Sequence, residues 1–272
     1  MRHATASGEA SCGSAARALG LDAEAMELVA RIDEMGPAWA RRAARYDAAA
    51  SFPFENYEDL RRAGFLKLCV PKRHGGLGAG YRLYALLSQR IGCWCATTAN
   101  TFNMHVANSL WTADLVDELD LTPKERKGHE ARRVLHYGRM VAGKLYAQPF
   151  SEASSAAAGI SPFGTTATRV EGGFLLKGRK IFASLSGAAD YYGVLCTEAK
   201  PQARASRRDT MFVAVPADAK GVSIVGDWDP LGMRGTVSRT LLLDDVHVPD
   251  AAQLMPRGIY IQAATRWPHM FM

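Results

Sequence analysis

Apolar residues recur along the first half of the chain with a helical period. Met26, Val29, Ile32, Met35 and Trp39 fall three or four positions apart, which places them on one face of an amphipathic helix. Asp22, just upstream, is a suitable N-cap. A second helix is predicted from near Asn56, with Asp59 in its first turn and Gly64 as its stop. In Val70-Pro71-Lys72-Arg73-His74-Gly75-Gly76-Leu77-Gly78 four breakers fall within nine residues, which marks a shaped loop. Helical periodicity returns over Tyr81 to Ile91 and Asn100 to Leu119. Thr122-Pro123-Lys124-Glu125 is a helix start: Thr as cap, Pro at the first helical position, Glu closing a capping box. That helix is expected to run to about Met140.

Near Lys144 the period changes. Thr168-Arg169-Val170-Glu171, Gly172-Gly173 and Phe174-Leu175-Leu176-Lys177 read as a hairpin with a two-residue turn. Further strand candidates are Leu145 to Phe150, Lys180 to Ser184, Tyr191 to Cys196, Met211 to Val215, Val222 to Val225 and Ser238 to Leu243. Lys200 to Asp209 reads as an exposed loop, and Ile259 to Met272 turns helical again. The fold class is therefore α+β. A disordered stretch over 1–20 precedes an all-helical domain over 21–143; a small β-barrel or sandwich over 144–257 follows, then a helical stub over 258–272.

Composition narrows the picture. The chain has 272 residues, 48% apolar and 22% charged, which excludes a disordered chain, a collagen and a coiled-coil rod. No window approaches ~20 uninterrupted apolar residues, so no membrane span is expected. Thirty-three Lys and Arg against 27 Asp and Glu leave +6, but the basic pairs are scattered and form no nucleic-acid footprint. Five cysteines, an odd number with no C-x-x-C, read as reduced thiols of a cytoplasmic protein. The first ~20 residues lack the apolar core of a secretory signal.

The local strings carry more. Phe52-Pro53, Gly64-Phe65 and Val70-Pro71 to Gly78 come first, then Tyr146-Ala147-Gln148-Pro149-Phe150-Ser151-Glu152. Lys177-Gly178-Arg179-Lys180-Ile181-Phe182-Ala183-Ser184 follows, and finally Leu231-Gly232-Met233-Arg234-Gly235-Thr236 with Leu243-Asp244-Asp245-Val246-His247-Val248-Pro249. In this order, over roughly residues 22 to 272, they resemble the acyl-CoA dehydrogenase superfamily. The resemblance implies FAD as cofactor and α,β-desaturation of an acyl-CoA thioester. It places Ser151 and Ser184 as hydroxyls against the flavin, Gln148 and Phe150 as backbone contacts, and Phe182 as packing against the ring. Strand alternation points Phe182 and Ser184 one way, an aromatic wall beside a hydroxyl, as a flavin ring requires.

Two departures qualify the substrate. The family's Pro-Gly-x-Gly-Ser loop is here Ala153-Ser154-Ser155-Ala156-Ala157-Ala158, with Ala157 where a substrate-contacting Ser is often found. The family's C-terminal four-helix bundle, which carries the catalytic carboxylate, is expected to be absent beyond a start at Ala263 to Met272. No catalytic residue is assigned. Glu152 is the best-placed acid, although the matching Glu of the family is structural. Asp244-Asp245 reads as a turn and capping pair, His105 as a satisfied, partly buried ring, and His129 and His136 as a solvated helix face. His74 reads as a phosphate contact or a turn-packing group. The alternative activity is a flavin-dependent monooxygenase of the same fold; a further one is a non-catalytic subunit joining full-length homologues. The expected partners are acyl-CoA or another small molecule, an electron-transfer partner or flavin reductase, and further copies of the chain in a homo-oligomer.

Overall fold

A long helix, α1 (Ala23–Ala48), opens the ordered architecture of the computed structural model, which describes residues 20, 22–153, 161–200 and 203–267. Asp22 caps it as expected, its carboxylate accepting the Ala25 N–H at 2.9 Å. Val29, Ile32 and Trp39 are buried, with Met26 and Met35 half-buried on the same side. Helix α2 (Phe54–Arg62) starts earlier than Asn56, because Asn56 is no cap: it is buried, and its amide donates to Thr98 Oγ1 at 2.8 Å. In the predicted loop, a Cβ on Gly76 would stand 1.9 Å from the Val70 carbonyl oxygen, so only glycine fits that approach. Helices α3 (Tyr81–Trp94), α4 (Ala96–Thr112) and the single turn α5 (Asp114–Asp117) follow. The predicted helix over Asn100 to Leu119 is thus broken at Ala113. Helix α6 (Pro123–Val141) begins with the expected capping box: Thr122 N–H donates to Glu125 Oε2 at 2.9 Å, and Glu125 N–H to Thr122 Oγ1 at 3.3 Å.

Among the described residues eight strands then form one sheet. They are β1 (Tyr146–Ala147), β2 (Thr166–Val170), β3 (Gly173–Ala183), β4 (Tyr191–Glu198), β5 (Thr210–Pro216), β6 (Val222–Val225), β7 (Arg239–Pro249) and β8 (Gln253–Met255). The order is β6-β7-β3-β2-β4-β5-β8, with β1 added in parallel to β4. The β2–β3 hairpin closes one residue earlier than expected. Val170 pairs with Gly173, so the turn is Glu171-Gly172, and Gly173 belongs to the strand, where a Cβ would meet the Val248 carbonyl oxygen at 2.1 Å. The Lys180 to Ser184 candidate is the end of β3, not a separate strand. Strand β8 escaped prediction because three residues display no alternation.

Helix α7 (Ile259–Arg266) docks back on this assembly and buries Ile259, Tyr260 and Ala263. The helical reading of Ile259 to Met272 holds as far as Arg266; Met270, Phe271 and Met272 lie outside the described residues. One core joins the two halves: Trp39, Leu87 and Phe102 from the helices share it with Leu176, Val194 and Leu241 from the sheet. A second gathers Trp111, Tyr137, Tyr146, Phe212 and Tyr260. No described helix is long and apolar enough to cross a membrane.

Candidate functional site

Three of the strings singled out in the sequence meet at the end of β3. The segment before β2 runs alongside it, with Ile181 N–H donating to the Ser151 carbonyl at 2.9 Å. One residue on, Lys180 Nζ, wholly buried, donates to Glu152 Oε1 at 2.7 Å. The same carboxylate accepts Gly164 N–H at 2.6 Å, Thr165 N–H at 2.9 Å and the Thr165 hydroxyl at 2.6 Å. Burial pushes the Glu152 carboxyl up, but Lys180 and Thr165 outweigh it and hold the group below the usual carboxylate range. Lys180 itself is pushed down by burial against the pull of Glu152. Glu152 is thus a knot tying three segments together, with both oxygens committed to donors.

Beyond Lys180 the strand changes character. The β3–β7 register shifts between Lys180 and Ala183, and Phe182 adopts φ +54°. Lys180 and Phe182, two apart, would share a face in a regular strand; instead Lys180 is buried and Phe182 is 58% exposed. Simple alternation therefore does not carry on to Ser184, which lies past the strand end. Its neighbours are hydrogen-bonded to the turn before β7: Leu185 N–H donates to Thr236 O at 3.0 Å and Ser186 N–H to Val237 O at 3.2 Å. The hydroxyls follow: Ser184 Oγ lies 2.8 Å from Ser238 Oγ, and Ser238 Oγ lies 2.7 Å from Thr236 Oγ1. The Phe182 ring meets Trp228 edge-on, centroids 6.0 Å apart. Of the six described non-glycine residues with positive φ, four are Phe182, Leu185, Met233 and Val237. Backbone strain of this kind collects where a surface is shaped for a ligand. The turn is anchored to the helices by Arg234, whose Nη2 lies 2.6 Å from Asp47 Oδ2.

The other predicted residues are placed differently. Phe150 packs inward, edge-on to Trp111 at 6.3 Å and Phe163 at 5.6 Å between centroids. Gln148 is buried, and its Nε2 has no acceptor among the described residues. The structure thus joins Ser151 to the Phe182 strand and sets Phe150 into the second core. Sequence reading did not find the roles of Thr236, Ser238 and Trp228: Ser238 is 54 positions from its partner Ser184, and nothing local marks that contact.

The remaining titratable groups are mostly structural. His105 Nε2 donates to Leu66 O at 2.7 Å, and Nδ1 accepts Tyr146 N–H at 3.0 Å, so the ring is satisfied, as expected, and neutral, burial holding it at about 4. The expectation of a solvated face for His129 and His136 fails: both are buried, His129 against Thr112 O and His136 against the Tyr146 hydroxyl. His74 packs on Tyr137 with its Nε2 2.9 Å from Glu130. The expectation of a turn pair fails for Asp244 and Asp245: both are exposed within β7, where its register against β3 shifts, beside Lys177, and no group among the described residues has the make-up of a metal site. Cys69, Cys95 and Cys196 are buried and Cys93 is exposed. Grooves of about 740 Å³ and 550 Å³ flank α7, and none of the five predicted residues lines either.

Comparison with known proteins bears on what this surface is for. The family description "Acyl-CoA dehydrogenase, N-terminal domain" matches residues 25–114, and "Acyl-CoA dehydrogenase, middle domain" matches residues 151–246. The chain belongs to the acyl-CoA dehydrogenase superfamily. The string around Ser184 falls inside the middle-domain match, which begins at Ser151 and so leaves Gln148 and Phe150 just before it. L-evernosamine nitrososynthase of a Micromonospora species is 29% identical over 233 residues, 82% of this chain and 49% of its own. An acyl-CoA dehydrogenase of Bacillus subtilis is 26% identical over 208 residues, 76% and 51%. The chain spans about half the length of the curated relatives it matches. Among solved structures, KijD3 in complex with FMN and a dTDP-amino-keto sugar superposes with TM-score 0.74 at 22% identity, covering 87% of this chain and 55% of that one. TdsC of a Paenibacillus species, with FMN and indole, gives 0.71 at 23%, again 87% and 55%. These structures share the superfamily's fold.

Proposed function

We propose that the chain is the flavin-binding part of a monooxygenase of the acyl-CoA dehydrogenase fold, acting on a small molecule with reduced flavin and oxygen. The observation that carries the flavin reading is a buried donor left over three residues before Ser151: Gln148 Nε2 has no acceptor among the described residues. A ring edged with carbonyl oxygens supplies one. Phe182 offers its exposed ring for packing, Ser151 and Ser184 offer hydroxyls, and Phe150, engaged with Trp111 and Phe163, contributes through its backbone. When bound, the flavin supplies the electrons of the reaction. The isoalloxazine ring is common to FAD, which the family resemblance implies, and to FMN, which the KijD3 and TdsC complexes hold.

Oxygenation is favoured because the acid that the strings bring to the end of β3, the buried Glu152, is tied to Lys180, Thr165 and Gly164. A reaction that runs on reduced flavin and oxygen needs no free carboxylate there. The nitrososynthase and the dibenzothiophene monooxygenase TdsC among the similar proteins support the same class, and a flavin reductase is then the fitting partner. The second reading, acyl-CoA desaturation with FAD and an electron-transfer partner, is supported by the Bacillus subtilis relative.

Titrating the chain with FAD and with FMN, followed by flavin fluorescence, tests the cofactor. Binding is expected, with Ser151→Ala weakening the oxidised flavins and Ser184→Ala the reduced form, each about two- to tenfold, one hydrogen bond's worth. Undiminished affinity in both variants refutes the site. Acyl-CoA-dependent dye reduction at ~1 per second or faster would reverse the order of the two readings.

A further inference from the structure

The hydroxyl chain behind Ser184 has a fixed direction. Each hydroxyl owns one hydrogen and two lone pairs. Thr236 Oγ1 lies 2.9 Å from the Met233 carbonyl oxygen, which can only accept, so Thr236 spends its hydrogen there. Ser238 Oγ, 2.7 Å from Thr236 Oγ1, must then donate to Thr236. Ser184 Oγ, 2.8 Å from Ser238 Oγ, must in turn donate to Ser238. Reversing the chain would set the lone pairs of Thr236 Oγ1 against those of Met233 O at hydrogen-bond distance with no hydrogen between them. Thr236 and Ser238 are buried, so no solvent relieves that conflict, and Ser184 is half-buried at the outer end. The hydroxyl that a sequence reader takes for a donor is, outwardly, an acceptor.

We infer that Thr236 and Ser238 are positioning residues that polarise Ser184 so that it accepts a hydrogen bond from the reduced flavin ring, and so bias the site toward reduced over oxidised flavin. This rests on the flavin reading above. Oxidised flavin presents bare ring nitrogen at N5; the reduced ring carries N–H there. An inward-spent Ser184 hydroxyl pairs with the second and opposes the first with lone pairs. The same argument deepens the oxygenase reading, since an enzyme supplied by a reductase must hold the reduced form.

The experiment measures the affinities of reduced and oxidised flavin for the full 272-residue chain, anaerobically for the reduced form. Ser238→Ala and Thr236→Val each free the Ser184 hydrogen to point outward. Both are expected to lower the reduced-over-oxidised affinity ratio about tenfold, the size of one hydrogen bond, which for a two-electron couple is a fall of ~30 mV in the bound potential. Thr236→Ser restores the ratio, and in a Ser184→Ala background neither variant changes it. A merely structural role would weaken both redox forms alike and leave the potential in place. An unchanged ratio in both variants, or a rise, overturns the inference while the flavin reading stands. If the wild-type chain binds neither form, the flavin reading fails and the inference with it. Circular dichroism identifies a variant that fails to fold, and the other variant then decides.

Discussion

A single imidazole ring carries much of the joint between the two halves of the chain. His105, on α4, holds the Leu66 carbonyl with one nitrogen and the Tyr146 amide of β1 with the other. Protonating the second nitrogen would cost the ring its acceptor at that joint. Burial holds His105 at about 4 and His136 at about 3, against 6.5 for an ordinary histidine. Between pH ~6.5 and ~4 the unfolded chain therefore binds protons that the folded chain refuses. The stability these rings contribute is complete above 6.5 and is lost as pH falls, at up to about 1.4 kcal/mol per pH unit for each. Urea midpoints measured at several pH values should show this slope, and His136→Phe should remove about one proton's share. The Glu152–Lys180 pair gives a second residue-scale test. Lys180→Met leaves a buried carboxylate without its cation and should cost about 3–5 kcal/mol. Adding Glu152→Gln should recover part of that loss, a non-additivity of about 1 kcal/mol or more; strict additivity would mean the pair is not coupled.

At the scale of elements, the sheet depends on close backbone approach at β3. Gly173→Ala pushes a methyl against the Val248 carbonyl, whereas Gly172→Ala meets open space and pays only for φ +72°. Gly173→Ala should therefore lower the thermal midpoint far more, Gly172→Ala costing about 1 kcal/mol. The contrast also marks what the sequence reveals and what it hides. Thr122, Pro123 and Glu125 act within one turn of each other, so the start of α6 is legible residue by residue. The glycine pair announces a hairpin, but which glycine turns and which packs is decided by β7, some seventy positions on. At the site, the strings around Ser151, Phe182 and Ser184 stand out in the sequence. The register shift that turns Phe182 outward and the contact between Ser184 and Ser238 arise only when β3 meets β7. Alternation, a local rule, therefore fails where the surface is made by two distant strands.

At the scale of the molecule, one apolar core passes from α1, α3 and α4 into β3, β4 and β7. Leu87 and Phe102 share that one cluster with Leu176 and Leu241. Helical circular dichroism and tryptophan fluorescence should therefore report one coincident unfolding transition; two separated transitions would show the halves to be independent.

The shared core also bears on how such chains can be recombined. The helical half and the sheet meet at a joint made by His105 with the Tyr146 amide and by Asp47 with Arg234. Exchanging the sheet for that of a relative keeps a backbone amide opposite His105 but sets a different side chain opposite Asp47 wherever the relative lacks the arginine. A chimera cut between α6 and β1 should fold only when both sides of the joint travel together, so the gene has a boundary in name where the protein has none in substance.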